Sequence, residues 1–143
     1  MVDKNVRKRR LSLIPPILIM AVIFALSSFG ADGSNAQSGF IVNIITSVLP
    51  ATSNLDILTT LVRKSAHFIE YLLLGFFTAR AFSKYGKNPS LAIPVGITYS
   101  ITDEVHQIFV PGRSCEITDI LIDSAGIMLG TLIFLLKKRM IVK

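Results

Sequence analysis

The sequence predicts an all-α integral membrane bundle of about four spanning helices. Three observations point there. The composition is 51% hydrophobic with a mean hydropathy of +0.60, which leaves too little polar surface to cover a soluble core. The apolar residues gather into four runs, at 11–29, 61–82, 91–110 and 117–136, each near the roughly 20 residues that cross a hydrocarbon core. The basic residues sit beside those runs instead of being spread along the chain. Residues 1–143 read as one domain.

The first run follows a basic segment and holds no charge. Pro15 and Pro16 fall at its start, where a helix tolerates proline. A basic leader, an apolar core and the small residues Ala25, Ser27 and Ser28 also describe a secretory signal peptide. The apolar core is long for one, and a retained helix is the expectation. Residues 30–60 are rich in Gly, Ser, Asn and Asp, and the apolar stretch 40–49 within them is too short to span. It predicts an interfacial or re-entrant helix. The second run carries Arg63, Lys64, His67, Glu70 and Arg80. A basic turn over 83–89 leads to the third run, which Pro94 is expected to bend. Pro111-Gly112 marks another turn. Trp is absent, and the single cysteine, Cys115, excludes an intrachain disulfide.

Net charge is +6, which in a soluble protein would suggest nucleic acid. Here Lys4, Arg7, Lys8, Arg9 and Arg10 precede the first run, Lys84 and Lys87 follow the second, and Lys137, Lys138, Arg139 and Lys143 close the chain. That is 11 of the 15 Lys and Arg residues, all on one side of a four-span chain. The positive-inside rule then gives N-in and C-in, with anionic lipid headgroups as partners and no nucleic acid.

With that orientation the costly side chains share one depth, near the extracytoplasmic face. Lys64, His67 and Glu70 occupy the outer half of the second span, Asp103, Glu104, His106 and Gln107 that of the third, and Asp119 and Asp123 the first turns of the fourth. At 100° per residue, Arg63, His67, Glu70, Tyr71 and Leu74 share one face, as do Asp103, Glu104, Gln107 and Ser100. Asp119, Asp123, Gly126 and Gly130 share another, where glycines let helices approach closely. His106 points away from Glu104. A charge facing lipid is expensive, so these faces must turn inward or towards water. They form either a structural ion-pair network or a site for a ligand, proton or ion.

Lys64-Ser-Ala-His67-Phe68-Ile-Glu70-Tyr71-Leu-Leu-Leu-Gly75, then Asp103-Glu104-Val-His-Gln107-Ile-Phe109-Val-Pro111-Gly112-Arg113, then Asp119-Ile-Leu-Ile-Asp123-Ser-Ala-Gly126 resemble the signature blocks of VanZ-like proteins. Ile23-Phe24-Ala-Leu-Ser27-Ser28 resembles that family's first block. The family's namesake is associated with resistance to the lipoglycopeptide teicoplanin, so the resemblance implies a multi-pass protein of the bacterial cell envelope. It implies no settled chemistry and leaves any cofactor unknown. By the same resemblance the motif residues are Lys64, His67, Glu70, Glu104, Gln107, Arg113, Asp119, Asp123 and Gly126.

Three classes of mechanism fit those residues. In the first, Arg113 and Lys64 clamp the phosphate or carboxylate of a membrane lipid or lipid-linked cell-wall precursor. His67, Glu70, Glu104 and Asp119 are then the acid–base candidates, and Gln107 and Asp123 complete the binding set. In the second, His67-x-x-Glu70 and Asp103-x-x-His106 hold a metal, although the spacing is reversed and His106 faces away. The third is a proton or ion path, which acids confined to one half of the membrane disfavour, or a non-enzymatic accessory protein that alters antibiotic access and whose ionic cluster is structural.

Overall fold

The structure, a computed structural model, describes residues 4–48 and 54–141. Leu49, the last residue of the short apolar stretch, and Lys143 of the basic tail lie outside the described residues. Every regular element among the described residues is helical: α1 (Lys4–Leu11), α2 (Ile14–Ser27), α3 (Ala31–Val48), α4 (Leu55–Lys84), α5 (Ala92–Gln107) and α6 (Ile117–Ile141), with a 3₁₀ turn at Pro89–Leu91 before α5. Among the described residues two stretches are long and apolar enough to cross a membrane, Val6–Ser27 and Ile117–Ile141.

Local chemistry sets the boundaries. Pro15 and Pro16 are the second and third residues of α2, within the first turn, where their missing N–H groups have no intrahelical partner to lose,. α4 starts earlier than the apolar run implies, with Asp56 in its first turn against the positive end of the helix dipole,. It ends at Gly86, which takes φ +70. The Lys87 N–H then reaches back to the Phe82 carbonyl at 2.9 Å and the Gly86 N–H to Ser83 at 3.1 Å, closing the helix with a Schellman motif,. Pro94 lies in the first turn of α5, where it starts the helix instead of bending its middle,. α3 is 18 residues long, so the short apolar stretch is part of a longer amphipathic helix. After α5, the Arg113 N–H bonds the Val110 carbonyl at 3.1 Å with Gly112 at φ +73. Pro111 and Gly112 thus fill the central positions of a type II turn.

Side-chain contacts fix the helix directions. Lys64 meets Asp119 near the starts of α4 and α6, and Phe76 meets Phe134 further along at 5.8 Å, so these two helices run parallel. α5 runs against both, because Ser100 bonds Asp123 while Gly96, one turn earlier, faces Ile127, one turn later. α2 runs with α5, through Tyr99 to the Met20 carbonyl at 2.6 Å and Ser27 to Asp103. The core holds Ile23, Tyr71, Leu74 and Ile127. Ile23 makes α2 part of that core, so removing this segment as a leader would open a cavity in the bundle.

The α4–α6 contact is backbone against backbone. A Cβ on Gly126 would stand 2.5 Å from the Phe68 carbonyl oxygen, and one on Gly130 would overlap the Leu72 carbonyl. A Cβ on Gly96 would meet only the Ile127 side chain. Gly130→Ala should therefore destabilise the protein by about 1–3 kcal/mol through overpacking. Gly39→Ala, in open space on α3, should leave stability unchanged or raise it by up to about 1 kcal/mol. Thermal melting of the detergent-solubilised protein, followed by circular dichroism, measures both; equal melting temperatures would contradict this packing.

Candidate functional site

The first turns of α6, the N-terminal half of α4 and the last two turns of α5 converge at one end of the bundle. The geometry follows from residue spacing. Asp119 and Asp123 lie one turn apart on the α6 face that meets α4, and Asp103, Glu104 and Gln107 lie on the buried side of α5. His67, Asp103, Glu104, Gln107, Asp119 and Asp123 are all buried. Arg63, Lys64, Glu70 and Arg113 are half-buried.

Most of the carboxylates have partners from other helices. Lys64 Nζ pairs with Asp119 Oδ1 and reaches Glu116 Oε2 at 3.5 Å. Ser27 Oγ, from the end of α2, donates to Asp103 Oδ1 at 2.6 Å. Ser100 Oγ donates to Asp123 Oδ2 at 2.8 Å. The Glu116 backbone N–H donates to Glu104 Oε2 at 2.8 Å, tying α5 to the start of α6. His67 Nδ1 stands 3.7 Å from Asp123 Oδ1, beyond hydrogen-bond reach,. The Glu104 Oε1, Asp123 Oδ1, His67 Nδ1 and Tyr71 Oη atoms are buried without a partner.

The two arginines differ from Lys64. Among the described residues neither Arg63 nor Arg113 has a carboxylate within 4.0 Å, and Arg63 Nε is buried without a partner. Arg113, aimed inward by the type II turn, donates from Nε to the Phe29 carbonyl at 3.4 Å. Burial, and then the neighbouring Arg63 guanidinium, pull the Arg113 pKa below its ordinary value. Both line a cavity of about 230 Å³, together with His67, Glu70 and Ser27. Ile23, Leu26, Ile41 and Val62 form its apolar wall. The same two arginines reach a smaller cavity of about 60 Å³ that Gln107 and Asp119 also line.

The residues singled out in the sequence thus divide by position. His67, Glu70 and Arg113 line the larger cavity, and Gln107, Asp119 and Arg113 the smaller. Glu104 and Asp123 line neither of these two, and Lys64 is engaged by Asp119 and Glu116. His106 lies apart, stacked on Phe24 at 4.6 Å and bonded to Ser28 Oγ at 3.1 Å. Among the described residues no three His, Cys, Asp or Glu side chains converge as metal ligands would. Sequence reading underrated Arg63, although its place one turn before His67 on the same face was the available signal. The Ser27 hydroxyl could not be assigned to Asp103 without knowing that α2 and α5 are neighbours. Lys64→Met would leave Asp119 buried and unpaired, and should cost about 3–5 kcal/mol in detergent melting. The double variant Lys64→Met/Asp119→Leu should recover much of that loss.

No curated protein and no solved structure matches the chain. The family model described as VanZ/LLP1 matches residues 12–138, which takes in α2 to α5, most of α6 and every side chain of the polar cluster. The chain belongs to the VanZ/LLP1 family.

Proposed function

We propose that this protein is a multi-pass protein of the bacterial cell membrane with four spans and both termini inside. Its outer cavity then binds the phosphate or carboxylate of a lipid or lipid-linked cell-wall precursor between Arg63 and Arg113. The observation that carries the reading is a pair of guanidiniums, neither with a carboxylate within 4.0 Å among the described residues, lining one cavity with apolar walls. Two cations that lack a direct ion pair repel each other, and an anion between them would relieve that repulsion and accept the planar fork of each. The walls from Ile23, Leu26, Ile41 and Val62 suit the first part of an acyl or prenyl chain.

Helix directions support the topology, since α2, α4, α5 and α6 alternate as four successive crossings would. Apolar side chains such as Ile17, Leu18, Leu121 and Leu132 cover the outside of the bundle, as lipid contact requires. Lys64 to Lys84 on α4 is about 30 Å of helix, the thickness of the hydrocarbon core. His67 and Glu70 stand beside the arginines and are the groups placed for proton transfer to bound substrate,. Glu104, Asp119 and Asp123 act through the positions of α5 and α6, with Lys64 neutralising Asp119. A site that holds or processes a lipid-linked precursor would connect this protein to teicoplanin susceptibility. A second, structural reading rests on the interhelical ties of Lys64, Ser27 and Ser100 to buried carboxylates: the cluster then only pins the bundle.

Arg63→Gln and Arg113→Gln separate the two. Each should lower the anionic lipid retained in native mass spectrometry at least tenfold and abolish any effect on teicoplanin susceptibility, with melting temperature changed little. Unchanged lipid and susceptibility in both variants would return the cluster to a structural role. Topology has a built-in reporter, because Cys115 is exposed in the loop between α5 and α6. A membrane-impermeant maleimide should label Cys115 in intact cells, whereas Cys115→Ser/Lys87→Cys should react only after permeabilisation.

A further inference from the structure

The other end of the bundle holds a second cavity that the polar cluster does not explain. It is about 530 Å³ in volume and lies between the C-terminal turns of α4 and α6. Four cations line it: Arg80, Lys84, Lys137 and Lys138. No acidic side chain lines it, and among the described residues none of the four cations has a carboxylate within 4.0 Å. Its floor is aromatic. Phe76 packs edge-on against Phe77 at 5.3 Å and against Phe134 at 5.8 Å, and all three rings line the cavity.

Spacing makes this arrangement a consequence of the parallel α4–α6 pair. Phe76, Phe77, Arg80 and Lys84 share one side of α4 at intervals of three and four residues, and Phe134, Lys137, Lys138 and Ile141 do the same on α6. On both helices the ring comes first and the cations follow within one or two turns, so charge lies roughly 4–12 Å nearer the helix end than the aromatic floor. Cations near a helix C-terminus also complement its dipole, but that effect falls off within the last turn. It accounts for neither Arg80, more than a turn back from the end of α4, nor an apolar floor beneath four cations. Charge at the interface above an apolar floor at depth is the profile of a phospholipid.

We propose that this cavity binds an anionic phospholipid, its phosphate held by Arg80, Lys84, Lys137 and Lys138 and one acyl chain laid over Phe76, Phe77 and Phe134. Basic pockets between helices at a membrane face recognise such headgroups, and a zwitterionic lipid brings a cation that four like charges reject. Assignment to the inner leaflet rests on the orientation proposed above; the site itself depends on neither that orientation nor the outer cavity.

The test uses the full-length protein in detergent, carrying Arg63→Gln and Arg113→Gln so that outer-cavity binding does not contribute. Phosphatidylglycerol with a diazirine-bearing acyl chain is photo-crosslinked and the labelled peptides are sequenced. Label is expected within 76–84 and 134–141. A tenfold excess of unlabelled phosphatidylglycerol should remove it, and the same excess of phosphatidylcholine or inorganic phosphate should not. Lys84→Gln/Lys137→Gln/Lys138→Gln should reduce labelling at least tenfold, and the corresponding triple Lys→Arg variant should restore it, which rules out loss of folding. Equal competition by phosphatidylcholine, label confined to other segments, or full labelling of the triple Gln variant would each overturn the proposal. Competition by inorganic phosphate as strong as by the lipid would overturn it in favour of a free-anion site.

Discussion

Gly126 and Gly130 let α6 lie on the backbone of α4, and both ends of the molecule depend on that approach. Parallel helices in backbone contact hold their registers together along their whole length, because interhelical side chains at one turn fix those at the next. At one end the register brings Lys64 to Asp119 and His67 towards Asp123. At the other it brings Phe76 to Phe134 and gathers the terminal cations. Small residues serve this purpose where lipid surrounds the helices, since the contact must be won by packing instead of by hiding apolar surface from water. Leu74 and Tyr71 then close the core beside Ile127 without needing to hold the helices apart.

Electrostatics follows from that packing. Four carboxylates, those of Asp103, Glu104, Asp119 and Asp123, are buried in one half of the bundle. Taking such groups from water is costly unless each gains hydrogen bonds or a counter-charge. The structure meets most of this demand with hydroxyls, one ammonium and one backbone N–H, drawn from four different parts of the chain. The arginines are treated differently. Arg63 and Arg113 line a cavity together without a direct ion pair among the described residues, and that difference from the paired acids is what the proposed ligand site rests on,. The two cavities share a plan, cations beside apolar walls, but only the one lined by Arg63 and Arg113 also holds His67 and Glu70. Under the proposed function, any proton transfer would fall to the cavity that His67 and Glu70 line,.

Much of the fold was legible because it depends on local properties. The apolar runs locate the helices, and Pro15, Pro16, Gly86 and Gly112 punctuate them. The face shared by Asp119, Asp123, Gly126 and Gly130 follows from helical periodicity alone. Less legible were the boundaries of α3 and α4, where polar residues continue a helix that hydropathy ends, and the role of Pro94, whose effect depends on whether it falls in the first turn or the middle. Lys64 and Arg63 are adjacent in the chain and equally basic. Only their neighbours separate them, Asp119 and Glu116 for one and Arg113 for the other.

By itself the sequence determined that the chain is helical, where its charged side chains lie along each helix, and through its motifs the family to which it belongs. These are properties of residue type and spacing, which a helix converts directly into faces and depths. Tertiary structure alone decided which side chains meet: that Ser27 serves Asp103, that Lys64 is consumed by Asp119, and that the two arginines face one cavity while four cations surround another. Such pairings depend on helix direction, register and the distance of approach between segments far apart in the chain. No local periodicity encodes those three quantities; they are set where glycine backbones touch.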